Sequence, residues 1–393
     1  MHLTTSFAQL LVPFCLVFTA PTFQTFTDIL TGWILTPRRR FLTEVIYPSD
    51  NLHNRHWSRF YRFFSHAKWD VDYFSATLAR IVVRILAPDA LLLWAVDDTL
   101  AKRRGLTIFG AAMHYDPLIS SKNKKLVSYG HDWVVLCLLI VDPFWARGQV
   151  FALPMAMRLY QNRQGNKKKK KKTIPKDQAD STAAAHKTRP ELAVELISLV
   201  SEWFAEEEHM ILGDSAYGGQ SVLSHQPENV HWISQVHPRG ALYKPAGARQ
   251  KGQRGPNRKK GDRLPTKQQW AADEEIPWQE LEFDQFGLHA HLAVKTQKGL
   301  YYKAGGQRLL PIVLTRDLQG QRPDMMFYCT KLDWSAYEIL SAYASRWSID
   351  ISHAHCRSSA RWVTVRFRSY RMCKRVAAIG PLVPTTSRQS HAR

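Results

Sequence analysis

The chain has 393 residues, of which 45% are hydrophobic and 22% charged, a composition that suits a folded protein and excludes a disordered one. Its 54 Lys and Arg outnumber 33 Asp and Glu, giving a formal net charge of +21. That excess points to an acidic partner: nucleic acid first, an anionic membrane surface second, acidic small molecules a distant third. The five cysteines (Cys15, Cys137, Cys329, Cys356 and Cys373) are scattered and never spaced as CxxC. They suggest neither a disulfide framework nor a structural zinc site, and a reducing cytoplasm is the expected compartment.

Residues 7–20, FAQLLVPFCLVFTA, are the one stretch that resembles a membrane segment. A span needs roughly 18 or more apolar residues, Pro13 interrupts this run, and no basic leader precedes it, so a buried helix is expected there. Residues 1–88 read as a helical N-terminal domain, with aromatic and aliphatic groups at helical spacing from His56 to Leu86. Arg59, Arg62, Lys68, Arg80 and Arg84 on it either contact DNA or are simply solvated, and spacing does not separate the two. From residue 91 come dense apolar runs, 91–96, 127–141 and 149–160, expected as an antiparallel meander.

The run Lys167 to Lys172 reads as a solvated loop. Pro190 then opens a helix, ELAVELISLVSEWFAEEE, followed by strand 209–214, a short helix and strand 230–236. Segment 244–263 carries eight basic residues and one acid and reads as an exposed arm, after which alternation and turn residues predict an inserted antiparallel β subdomain. Trp133, Trp203, Trp232 and Trp347 lie in apolar patterns and are expected in the core, and His353 and His355 lack ligand-spaced partners for zinc.

Three acidic stations could carry chemistry. Asp97 and Asp98, in LLLWAVDDTLAKRRG, are expected to end one strand, and Asp214, in HMILGDSAYGG, to end another. A strand end puts a carboxylate at the mouth of a sheet with a rigid backbone behind it, as metal ligation requires, although such aspartates also cap turns. In SAYEILSAYASRWSIDISHAHCR, Tyr343, Arg346, Asp350 and Arg357 are expected on one face of one helix. An ordinary surface ion pair of Arg346 with Asp350 is the plainer reading of that spacing.

The motifs VDDT, ILGDSAYG and YASRWSID resemble the three catalytic regions of bacterial insertion-sequence transposases of the DDE type, those with a β-rich insertion in a ribonuclease-H-like core. SYGHDWVVL, MRLY and KTRPELAVELI resemble that family's connecting segments. The gaps of 116 residues from Asp98 to Asp214 and 136 from Asp214 to Asp350 leave room for the insertion.

The resemblance implies an α/β fold, a ribonuclease-H-like mixed sheet flanked by helices, with an inserted antiparallel β subdomain and a helical N-terminal domain. Its expected parts are 1–88, a DNA-binding domain; 89–237, the first part of the catalytic core; 238–330, the β subdomain; 331–357, the final core helix; and 358–393, a basic tail.

The same resemblance makes Asp98 the first metal ligand, with Asp97 in reserve, Asp214 the second and Asp350 the third. It assigns Tyr343, Arg346 and Arg357 to DNA phosphates, beside Lys102, Arg103, Arg104, Lys259 and Lys260. It implies Mg²⁺, with Mn²⁺ as a substitute, DNA as partner (element ends and target), no membrane, a homodimer on DNA and a cytoplasmic, nucleoid-associated location. Two positions depart from the family pattern: Asp350 stands where the family has Glu, and Arg357 where it has Lys. Residues 351–393 contain nine Lys or Arg and no acid, and a frameshifted or degenerate C-terminus is the expectation for them.

Overall fold

The computed structural model describes residues 5–36, 41–48, 56–88, 90–105, 108–121, 123–162, 186–249, 255–285, 288–320, 322–358 and 370–379. Lys167 to Lys172 lie outside the described residues, as does most of the 358–393 tail.

Among the described residues, five α-helices come first: α1 (Thr5–Leu11), α2 (Ala20–Leu35), α3 (Leu42–Ile46), α4 (Ser58–Ser65) and α5 (Val71–Leu86). Pro13 sits in a single 3-10 turn after α1, so the apolar run 7–20 is broken at the residue that cannot continue a helix. The run buries Leu11, Phe14, Val17 and Phe18 while Leu10, Val12 and Leu16 remain exposed. Phe14, Phe18, Phe26, Phe63, Trp69 and Phe74 then pack ring against ring, with centroid separations of 4.9–6.5 Å, as the core of this helical layer. Asp70 caps α5, accepting from the Tyr73 amide at 2.7 Å. No helix among the described residues is long and apolar enough to cross a membrane.

The sheet has ten strands: β1 (Leu92–Lys102), β2 (Ala112–Tyr115), β3 (Val127–Val141), β4 (Val150–Tyr160), β5 (His209–Gly213), β6 (Val230–Gln235), β7 (Gln279–Gln285), β8 (Leu288–Gly299), β9 (Leu310–Asp317) and β10 (Met325–Cys329). Their order is β2-β3-β1-β5-β6-β10-β9-β8-β7, with β4 also on β3. The meander β1, β3, β4 is antiparallel, and β5 and β6 then run parallel to β1. This is a ribonuclease-H-like core. The antiparallel segment β7 to β10 extends the same sheet, since β10 pairs with β6.

Helix α6 (Arg189–Trp203) connects the meander to β5 and begins with a capping box in which the Thr188 hydroxyl and the Glu191 carboxylate satisfy each other's amides. Short α7 (Gln220–Leu223) links β5 to β6, α8 (Lys267–Ala272) precedes β7, and α9 (Tyr302–Gly305) lies between β8 and β9. Three tryptophans, Trp94, Trp133 and Trp232, are sealed between sheet and helices, and truncating any one to Ala is worth roughly 3–5 kcal/mol of stability.

The last described elements are α10 (Ala336–Ser345), α11 (Trp347–Ser358) and α12 (Tyr370–Ile379). Helix α11 packs on β4 and β1, and α12 on β4, α4 and α5. Within the tail region, α12 buries Met372, Val376 and Ile379, and buried Arg375 donates to the carbonyls of Phe64 and Trp69.

Two expectations need correction, and a third gains detail. Strand β1 runs on to Lys102 against β3, so Asp97 and Asp98 lie mid-strand; only its parallel pairing with β5 ends there, at Val96 opposite Gly213. The described residues of the 244–263 arm are mostly exposed, as expected, and the arm is pinned at its base, where Lys244 exchanges backbone hydrogen bonds with Gly261 and Asp262 and Tyr243 bridges to Arg263. The single final helix is interrupted at Arg346, whose amide turns back to the Tyr343 carbonyl three residues away.

Candidate active site

The site lies where parallel pairing stops. Beyond Val96 and Gly213 the two strands no longer bond to each other, and Asp97, Asp98 and Asp214 occupy the opening. Gly213 permits the tight exit: a Cβ there would lie 2.5 Å from the Trp232 ring. The Asp214 carboxylate then fastens the turn, its Oδ1 accepting from the amides of Ala216 at 2.9 Å and Tyr217 at 3.3 Å.

Adjacent residues of a strand point to opposite faces. Asp97 meets the last motif: Arg346 Nη1 lies 3.3 Å from its Oδ2, a contact spanning 249 residues of sequence. Burial pushes the Asp97 carboxyl up to about 7; Arg346 opposes that shift, while the neighbouring charges of Asp98 and Asp214 add to it. Arg346 is itself buried, and its charge is kept against the cost of burial by Tyr343, Asp97, Asp350 and Asp214. Its Nε has no acceptor. Tyr343 is buried against Phe327, with ring centroids 4.6 Å apart, and the Arg346 guanidinium lies 5.5 Å from both the Tyr343 and Trp347 rings.

Asp98 has other partners. The hydroxyl of buried Tyr217 donates to its Oδ1 at 2.9 Å, and Arg189 Nε lies 3.6 Å from its Oδ2. Its side chain is 37% exposed at the rim, yet it lies deep enough that burial raises its pKa against the pull of Arg189 and Tyr217. Arg189 is held in turn by Asp132 on β3, which burial and the Asp98 charge push up to about 6. Burial and Arg189 lower neighbouring His114 to about 4.

Asp350 is exposed on α11, within electrostatic reach of Arg346. The structure thus brings Asp97, Asp98, Asp214, Tyr343 and Arg346 together and leaves Asp350 at the rim; the Arg357 side chain lies outside the described ones. Among the described residues no three His, Cys, Asp or Glu side chains form a closed metal-binding group. The donor chemistry nevertheless suits a hard divalent cation: all donors are carboxylate oxygens, and Asp97, raised first by burial and further by the charges of Asp98 and Asp214, is a group whose ionised form an added cation would favour.

Several nominated basic residues are engaged within the protein. Lys102 pairs with buried Asp116 at 2.7 Å, Arg103 Nε donates to His131 Nδ1 at 3.2 Å, and the Lys260 ammonium sits 3.7 Å from the Tyr243 ring centroid. Arg104 and Lys259 are exposed. Trp347, expected in the core, is 52% exposed at the start of α11, whereas Trp133, Trp203 and Trp232 are buried.

Sequence reasoning gave no role to Arg189, Asp132, His114 or Tyr217. The available signal was a polar pair, His131 and Asp132, inside an otherwise apolar run, and a tyrosine three residues after Asp214.

A family model described as DDE superfamily endonuclease matches residues 13–300. The chain belongs to this family. The match takes in Asp97, Asp98 and Asp214 and ends before α10 and α11, which carry Tyr343, Arg346 and Asp350. No curated protein matches the chain.

Proposed function

We propose that this DDE endonuclease-family protein is a DNA transposase that cleaves insertion-sequence ends and joins them to target DNA, with Asp97, Asp214 and Asp350 as the acids that hold Mg²⁺ or Mn²⁺. The observation that carries this reading is the meeting of the first two acidic motifs with Arg346 of the third, through the contact of Arg346 with Asp97. The resemblance alone nominated Asp98; the company Asp97 keeps with Arg346, Tyr343 and Asp214 favours Asp97.

Divalent ions in such a site supply charge neutralisation at the phosphoryl oxygens and an activated water. The protein's own part is positioning. Asp97 stands on β1 and Asp214 directly after β5 in a turn fastened by its own carboxylate, and a fixed backbone keeps ligand oxygens within the few tenths of an ångström that a metal site tolerates. Arg346 offers a buried, unpartnered Nε to a phosphate oxygen, a charge-assisted hydrogen bond shielded from water. Tyr343 packs against that guanidinium and limits its rotation. Residues 1–88 are the proposed reader of the element ends, 89–237 with 331–357 the catalytic core, and 238–330 a β insertion; a homodimer on DNA and association with the nucleoid complete the proposal.

A second reading, DNA binding without catalysis, is favoured by one observation: Asp350 is exposed and no closed acidic trio exists among the described residues. Incubating the protein with Mg²⁺ and DNA bearing its flanking inverted repeats separates the outcomes. Nicking followed by joining supports the transposase, cleavage without joining supports a nuclease, and binding alone supports the second reading.

A further inference from the structure

The two neighbouring acids of β1 differ in how firmly their cationic partners are held. Arg346 touches Asp97 through one nitrogen and keeps Nε unpaired, which leaves a donor for a phosphate oxygen. Arg189 is bound through two nitrogens to a second carboxylate. It is the first residue of α6, both its Nε and Nη2 bond to Asp132 Oδ2, and its guanidinium lies 4.4 Å from the centroid of the Tyr160 ring. Asp132 beneath it is 2% exposed, and buried His114 stands 3.5 Å from the same oxygen. A cation so fixed beside Asp98 repels a metal ion there.

The other oxygen of Asp98 is taken by Tyr217, a fully buried side chain whose own amide is bonded to Asp214. The hydroxyl therefore ties β1 to the turn that carries the second acid, and the guanidinium ties β1 to α6.

We propose that Asp98 is a positioning residue, not a metal ligand: with Tyr217, Arg189 and Asp132 it forms a brace that fixes Asp214 relative to Asp97. The brace rests on the reading of the acidic site given above and deepens it, dividing the Asp97–Asp98 pair into one ligand and one anchor. Outer groups that orient metal ligands typically alter metal affinity by about 10–100-fold when removed.

The test is a titration of the full chain with Mn²⁺, followed by the electron paramagnetic resonance signal of free Mn²⁺, alongside cleavage measured across Mn²⁺ concentrations. Asp98→Asn and Tyr217→Phe are each expected to weaken Mn²⁺ binding about tenfold with the number of bound ions unchanged, and excess Mn²⁺ should restore most of the cleavage. The double variant should be no weaker than the poorer single, because both changes break one brace. Asp97→Asn should lose a bound ion and not be restored. Loss of a bound ion in Asp98→Asn, or unchanged affinity in the nearly isosteric Tyr217→Phe, overturns the proposal. If the wild-type protein binds no Mn²⁺, the metal reading itself fails. The brace is then read from urea unfolding midpoints, where non-additive shifts for Asp98→Asn and Tyr217→Phe support it and additive shifts overturn it.

Discussion

Asp97 and Asp214 project from β1 and from the end of β5, strands packed into the interior, whereas Asp350 stands on the exposed side of α11. The sheet acids have little freedom: Asp97 is fixed by pairing with β3 and Asp214 by the turn its carboxylate closes, and burial, with a further push from the Asp98 and Asp214 charges, moves the Asp97 carboxyl to about 7. The helix acid has solvent on one side and follows a helix interrupted four residues earlier, at Arg346. A site divided in this way is half rigid and half adjustable, and its two halves should respond differently to substitution.

The largest effect is expected on the rigid half. Asp214→Ala should abolish cleavage, a loss of roughly 10³-fold or more if several kcal/mol of transition-state charge stabilisation depend on it. DNA binding in a gel-shift assay should be unchanged, and retained cleavage would remove the site.

Asp350 tests the adjustable half in both directions. Asp350→Ala should lower cleavage about 100-fold, whereas Asp350→Glu, longer by one methylene, should raise it above wild type. Equal rates for all three proteins would place α11 outside the chemistry.

Arg346 joins the halves. Arg346→Ala should cost about 10-fold in DNA cleavage, the value of a charge-assisted hydrogen bond of roughly 1.5 kcal/mol. Because Arg346 holds the Asp97 pKa down, the pH midpoint of Mn²⁺ binding should also move upward. An unmoved midpoint would mean that the ion pair does not operate in solution.

A smaller effect concerns stability. Asp97 has a folded-state pKa raised from 3.8 to about 7, so between those values the folded chain binds more protons than the unfolded chain, and this group makes stability fall as pH rises. Urea unfolding from pH 4 to pH 8 should show that decline, and Asp97→Asn should flatten it; a slope identical to wild type would contradict the shift. The smallest effect is on binding: Lys259→Ala should reduce the log–log salt slope of DNA affinity by about 0.9, and no change would take Lys259 off the phosphate path.

What could be read in the sequence follows the same division. Strands β1, β3, β4, β5 and β6 announce themselves because a buried strand is a dense apolar run, and α6 because Thr188, Pro190 and Glu191 spell out its start. The extension of β1 to Lys102 was hidden because residues 97–102 are mostly polar and pair with β3 alone. Asp97 and Asp98 were legible as a pair, but their assignment to opposite faces depends on register. The brace was invisible, because Asp98, Asp132, Arg189 and Tyr217 come from four separate segments. The helix interruption at Arg346 has no Pro or Gly to mark it.

The most direct test is anomalous diffraction from crystals of the protein soaked in Mn²⁺. A manganese peak bridging the carboxylates of Asp97 and Asp214 is the expected result. A peak coordinated by Asp98 on the Arg189 side, or none near either acid, would contradict the assignment on which the functional reading rests.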